Sequence, residues 1–410
     1  MDLCLLCETE AVVGLIDFGL QPVCNRYLAT TTEPEYLHPL VIGQCEACGL
    51  IQIVDPVPAE ELSPRFDWIT YGEPEGHLDG LADIISKLPG ITRVSAICGI
   101  SRTDDSLLER LVEQGFQNIW RIDPEGDLGV RGGLHGVETI QARFDARSAT
   151  EIANQHGRPD VVVGRYILEH AQDIHKSLSA LKTLVSPGGY VVLEVPDCQR
   201  PMEESDYSFV WEEHALYFTE RTFRRSLAVG GFSLVHCESY YYPLQNALVG
   251  IGGSQPEASY LLSQNDLQEE KARGQEWACG LSTKRGDLRR FLRGYGKKRG
   301  NTALYGSGQL GCAFINLLEL NGLIHIVVDD NDNKHGYFMP GSHLPIRAAS
   351  ALVQEEVSLC LMSVRPGIQE KLIRNHRAFL EQGGTFYSIF PDGPYQLPLL
   401  SDRGGGDRCK

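Results

Sequence analysis

The chain has 410 residues, 42% of them apolar and 22% charged, which suits a globular protein of two or three domains. A formal net charge of −17 argues against a broad electrostatic grip on nucleic acid or on an anionic membrane. No uninterrupted apolar run approaches the ~20 residues of a membrane span, and Met1-Asp2-Leu3-Cys4 lacks the basic start of a signal peptide, so the expected address is the cytoplasm.

Four of the twelve cysteines form two C-x-x-C knuckles, Cys4-Leu5-Leu6-Cys7 and Cys45-Glu46-Ala47-Cys48. Each knuckle puts two thiolates on one tight turn, the bite a tetrahedral zinc ion needs. The segment between them has too few apolar residues for a core of its own, and a closed Cys4 site explains how it folds. The metal is then structural, because four protein ligands leave no open position. A thioredoxin-type redox site would show one such motif at a strand–helix junction. The expected zinc module covers 1–66. A loop follows, with Tyr71, Glu73 and His77 among Gly and Pro residues.

From residue 91 to 235, apolar strands alternate with helical patterns. Val94–Cys98, Asn118–Ile122, Asp160–Val163, Tyr190–Val195 and Phe232–Cys237 read as strands, and 105–114, 149–156, 174–185 and 220–229 as helices. This alternation predicts a parallel sheet with helices on both faces and a ligand beyond the carboxyl ends of the strands. The stretch Trp211-Glu212-Glu213-His214-Ala215-Leu216-Tyr217-Phe218 follows the Tyr190–Val195 strand. A Glu-His pair suits general acid/base work, because imidazole titrates near neutral pH.

Residues 255–298 are polar and helix-prone and read as a helical connector. A second α/β pattern covers 299–400, and 401–410 reads as a disordered tail. Thr302-Ala303-Leu304 leads into Tyr305-Gly306-Ser307-Gly308-Gln309-Leu310-Gly311, an apolar helix and a strand ending at Asp329-Asp330. At face value this G-x-G-x-x-G is a dinucleotide fingerprint, although such glycines also serve tight strand–helix packing.

Several segments resemble a class I methyltransferase. Arg121-Ile122-Asp123 ends the second strand, Ile167-Leu168-Glu169-His170 follows the third, and Pro187-Gly188-Gly189 precedes the fourth. The paired knuckles, Glu213-His214-Ala215-Leu216-Tyr217-Phe218 and Tyr305 to Gly311 extend the similarity over residues 4 to 395. Together they resemble the bacterial sugar C-methyltransferases that act on nucleotide-linked keto-deoxysugars. The resemblance implies a Rossmann-like methyltransferase domain at 67–254, S-adenosylmethionine as cofactor, and Gly99, Asp123 and Arg165 as its candidate contacts. It implies His214 as a base that removes a proton alpha to a ketone, with Glu213 orienting it and Tyr71 assisting. Tyr71, His77, Trp211 and Tyr217 become candidate substrate contacts, and the partner is a small molecule. Three departures stand out. Only Gly99 remains of the first glycine loop, Trp211 replaces a tyrosine, and Leu248 to Ser254 lacks the family's histidine. Two alternatives stay open: proton transfer or NAD-linked redox on the same scaffold through Gly306, Gly308 and Gly311, and a catalytically silent binding protein.

Overall fold

The computed structural model describes residues 2–69, 72–131, 134–255, 260–391 and 393–398. Tyr71 and the tail at 401–410 lie outside the described residues. The chain forms two compact units, each assembled from separate stretches. One holds Met1–Gly14, Ile42–Gln199 and Glu213–Lys271, and the other Leu15–Val41, Arg200–Glu212 and Ala272–Lys410.

The first unit is built on a six-stranded sheet: β1 (Ala96–Gly99), β2 (Asn118–Arg121), β3 (Val161–Arg165), β4 (Tyr190–Asp197), β5 (Ser233–Tyr240) and β6 (Asn246–Gly253). Their spatial order is β5-β6-β4-β3-β1-β2. Strands β1 to β4 run parallel, while β6 pairs antiparallel with both β4 and β5. This is the class I methyltransferase fold. Alternation along the strands divides the core between two faces. Val161, Val163 and Val192 pack with Leu78, Leu81, Ile85, Leu107 and Leu111, from the helices Leu78–Ser86 and Asp105–Glu113. Val162, Val191 and Leu193 pack with Ile152, Leu178, Leu181, Phe223 and Leu227. These come from the helices Ala146–His156, Ile174–Leu184 and Glu220–Val229, the last capped by the Thr219 side chain on the Thr222 amide. Burying faces of this kind stabilises a domain by ~25 cal/mol per Å² of apolar surface.

Alternating strands and helices predicted an all-parallel sheet, and β6 corrects that reading. Leu248, Val249 and Ile251 are fully buried, but Gly250 and Gly252 on either side of Ile251 disguise a strand as a loop. The glycines are there for packing. A Cβ on Gly250 would stand 2.7 Å from the Phe223 ring, and one on Gly252 2.8 Å from Phe232 Cβ.

In the zinc module, Ile42–Gln44 pairs antiparallel with Ile51–Ile53. A two-residue strand, Leu216–Tyr217, continues that sheet, with Ile51 opposite Tyr217 and Gln52 opposite Leu216.

The second unit carries a parallel sheet of β7 (Asn301–Tyr305), β8 (Ile326–Val328), β9 (Ile346–Arg347), β10 (Val357–Met362) and β11 (Thr385–Ser388), in the order β9-β8-β7-β10-β11. The helix Gln264–Arg299 begins later than the expected connector at 255–298 and supplies Trp277, which is fully buried and takes a hydrogen bond from Tyr207 Oη on its carbonyl.

Candidate active site

The four knuckle cysteines converge. Cys4 Sγ lies 3.6 Å from Cys48 Sγ, Cys7 Sγ lies 3.6 Å from Cys45 Sγ, and all four sulfurs fall within 4.8 Å of one another. A tetrahedral zinc with Zn–S bonds of ~2.3 Å sets its sulfurs ~3.8 Å apart, so the donor set fits the ion. Cys4, Cys45 and Cys48 are buried, as a structural site requires.

At the carboxyl ends of β1, β3 and β4, buried charges brace the loops. Arg165 pairs through Nε and Nη2 with Glu194, and donates to the carbonyls of Thr103 (2.6 Å) and Pro74 (3.2 Å). His77 Nε2 stands 3.3 Å from Glu194, its Nδ1 meets Tyr242 Oη at 2.9 Å, and its ring stacks on Tyr240. Burial works against ionisation of Glu194, yet His77 and Arg165 hold its carboxyl below the ordinary range. Arg165 and His77, read from sequence as ligand contacts, therefore meet each other's partner inside the protein.

The loop after β1 closes on Asp104. Its buried carboxylate accepts from the amides of Ile100 (2.7 Å), Ser101 (2.8 Å) and Arg165 (2.7 Å). Burial pushes this carboxyl up to about 7 in spite of those donors. A Cβ on Gly99 would come within 2.8 Å of Leu108 and 3.0 Å of Asp104 Cβ, so this glycine is fixed by packing. Asp123, at the end of β2, accepts from the amides of Glu125 (3.4 Å) and Gly126 (3.1 Å) in an exposed turn. A carboxylate has about four acceptor positions, so it keeps capacity for a ribose diol. In the loop after β1, the Asp104 carboxylate occupies amides at the strand end.

The densest group lies beyond β3. The 3-10 turn Leu168–His170 presents Glu169 and His170. The segment Glu213-His214-Ala215 is clamped beside it: Ile53 N donates to the Ala215 carbonyl at 3.0 Å, and Cys198 N to the Phe218 carbonyl at 2.8 Å. His170 Nδ1 stands 3.1 Å from the Glu213 carbonyl and 3.3 Å from Glu138 Oε1. Only a donor satisfies both, which assigns the hydrogen to Nδ1 and the lone pair to Nε2. The His170 and His214 rings meet edge to face, with centroids 4.7 Å apart. Side-chain donor atoms of Glu169, His170 and His214 lie within 4.8 Å of one another, as do those of Glu138, His170 and Glu213.

All five residues are buried. Burial lowers His170 to about 4. Burial, and then the neighbouring His170, lowers His214 well below its ordinary value. Both imidazoles are neutral at pH 7, and a neutral imidazole has the lone pair a base needs. The Glu213 carboxylate falls within 4.8 Å of the donor atoms of Glu138 and His170, while its carbonyl meets His170 Nδ1. Tyr217 is fully buried, its ring centroid 6.4 Å from that of His214. Trp211 belongs to the second unit, where its Nε1 donates to the Ser208 carbonyl at 2.9 Å. Sequence reasoning did not single out Glu138, Glu169 or His170 as site residues.

In the second unit the glycine fingerprint closes on itself. Asp329 Oδ2 accepts from Ser307 N (2.8 Å) and Oγ (2.6 Å), and Lys334 pairs with the same oxygen. A Cβ on Gly311 would stand 2.4 Å from the Gly306 carbonyl. Here the glycines and the acid pack strand against helix.

Three family descriptions match the chain in turn. Residues 4–62 match a zinc binding domain, 81–237 a methyltransferase domain, and 264–391 a C-methyltransferase C-terminal domain. The C-methyltransferase NovU of Streptomyces niveus is 25% identical over 412 residues, covering 96% of each chain. Among solved structures, 1,6-didemethyltoxoflavin-N1-methyltransferase of Burkholderia thailandensis, determined with S-adenosylhomocysteine, is 13% identical. It covers 50% of this chain and 96% of that one with a TM-score of 0.30. A ribosomal protein L11 methylase of Lactobacillus delbrueckii subsp. bulgaricus is 13% identical over 47% of this chain and 83% of that one, with a TM-score of 0.27. The chain is therefore an S-adenosylmethionine-dependent methyltransferase that joins a zinc-binding domain, a methyltransferase domain and a C-methyltransferase C-terminal domain.

Proposed function

We propose that the protein transfers a methyl group to carbon, on a nucleotide-linked keto-deoxysugar or a related carbonyl compound, with His214 as the base. The observation that carries this reading is the buried, neutral His214 held against His170 beyond β3, at the strand ends where this fold receives ligands. The end-to-end similarity to a C-methyltransferase supports carbon as the acceptor.

S-adenosylmethionine, when bound, supplies a methyl already activated as a sulfonium, and Asp123 would hold its ribose. What remains for the protein is to make a carbon nucleophile and align it. His214 takes the proton alpha to the carbonyl, and the electron pair moves toward the carbonyl oxygen. The negative charge formed there favours the imidazolium that burial disfavours in the free enzyme. His170 sets the His214 edge, and Glu138 and the Glu213 carbonyl fix the His170 tautomer. The buried setting excludes water that would reprotonate the nucleophile.

The test is exchange of the substrate's alpha proton with deuterium from solvent. Wild type exchanges it, and His214→Ala abolishes the exchange. Exchange at the wild-type rate in that variant refutes His214 as the base.

A further inference from the structure

Glu169 is only 1% exposed, and among the described residues neither carboxyl oxygen reaches a partner at hydrogen-bond geometry. A buried polar group left in this state costs ~1–3 kcal/mol, so its retention calls for an explanation. The groups facing it are His170, with Nε2 4.0 Å from Oε1, and His214, with the carboxylates of Glu138, Glu73 and Glu194 acting from further off. The assigned His170 tautomer turns a lone pair toward Glu169, so no hydrogen is offered to it from that ring. Burial, and then those carboxylates, raises its pKa well above the ordinary range, against a pull from its own backbone amide. Burial without a donor at either oxygen favours the neutral carboxylic acid, which has an O–H to donate.

We propose that Glu169 is a further catalytic residue, a neutral acid whose O–H donates a hydrogen bond to the substrate's carbonyl oxygen while His214 removes the adjacent carbon-bound proton. This rests on the reading of His214 as the base. An alpha carbon and its carbonyl oxygen are ~2.4 Å apart. A base ~3 Å from one and a donor ~2.8 Å from the other must then sit within several ångströms of each other. The Glu169 and His214 donor atoms lie within 4.8 Å. In the step the C–H bond breaks, N–H forms on His214, and the electron pair comes to rest on the carbonyl oxygen. That oxygen then accepts from Glu169, which keeps its proton. An acid held neutral by an apolar site is suited to this role because it stabilises the enolate without a charge of its own.

Two arms test it. Difference infrared spectroscopy of the full-length zinc protein at neutral pH, with no substrate, should show a protonated carboxyl band that Glu169→Gln removes. Absence of such a band overturns the proposal whatever the substrate. The second arm follows deuterium exchange into a nucleotide-linked keto-deoxysugar. Glu169→Ala should slow it ~100–1,000-fold at unchanged zinc content and unfolding midpoint, and Glu169→Gln, which still donates, should recover most of the rate. Wild type should also lose exchange at high pH as Glu169 ionises, a limb missing from Glu169→Gln. Wild-type exchange in Glu169→Ala, with His214→Ala inactive, overturns the role of Glu169 and spares the base. Exchange surviving in His214→Ala fails the base itself. A second equivalent of bound metal that disappears in Glu169→Gln would also overturn the proposal, by making Glu169 a ligand.

Discussion

Removing Glu194 should damage the first unit more than any surface ion pair would. Its carboxylate sits at 0% exposure against Arg165 at 1%, and His77 Nε2 is 3.3 Å away. Glu194→Ala removes the guanidinium's bonded counter-ion and leaves it the carbonyls of Thr103 and Pro74 as hydrogen-bond acceptors, and breaking a buried ion pair in this way costs about 3–5 kcal/mol. That is about a fifth or more of an ordinary domain stability of ~5–15 kcal/mol. Replacing both partners, as in Arg165→Met with Glu194→Leu, removes the stranded charge together with its counter-ion, and should cost less than Glu194→Ala alone. Urea denaturation followed by far-ultraviolet circular dichroism reads the difference. A Glu194→Ala protein within 1 kcal/mol of wild type, or a double variant less stable than the single one, refutes the reasoning that this pair is desolvated and mutually dependent. Because His77 and Arg165 hold Glu194 below its ordinary value, its contribution is present at neutral pH and is lost as pH falls through the folded-state pKa.

Cys4→Ser should lower bound zinc by about one equivalent, read by elemental analysis, and should unfold the module between the knuckles; retained zinc would refute the four-sulfur site. Asp123→Ala should weaken S-adenosylmethionine about 100-fold in calorimetry, the worth of two hydrogen bonds to a charged acceptor, and unchanged affinity would remove Asp123 from the ribose. His170, lowered to about 4 from an ordinary 6.5, is neutral in the fold but protonated in the unfolded chain between those values. Stability is therefore lost as pH drops from 6.5 toward 4, by about 3 kcal/mol at full effect from this residue, and His170→Gln should lose less over that window. Titration of the His170 ring by NMR near pH 6.5 would contradict this.

Much of the first unit is legible in the chain because its strands and helices obey strong periodicities. The five expected strands and four expected helices all form, within a few residues of their predicted ends. Strand β6 was hidden because glycines that admit Phe223 and Phe232 erase its apolar pattern. The zinc site was legible from spacing alone, since a C-x-x-C turn fixes its own geometry. The candidate base was legible as a motif, but its surroundings were not. Glu138, Glu169 and His170 come to His214 through tertiary contacts that no local pattern encodes. The same limit explains His77 and Arg165. The resemblance offered them as candidate ligand contacts, and their shared partner Glu194, distant in sequence, becomes visible only in the fold. The glycine loop at Gly306 shows the converse, a fingerprint whose acidic residue folds back on the loop amide and hydroxyl of Ser307.

The most direct test supplies S-adenosylmethionine carrying a ¹³C-labelled methyl together with a nucleotide-linked keto-deoxysugar, and locates the label by NMR. The expected product carries the methyl on the carbon next to the carbonyl, and His214→Ala makes none while binding the cofactor as wild type does. A label on oxygen or nitrogen, or the same carbon product from His214→Ala, would contradict the account.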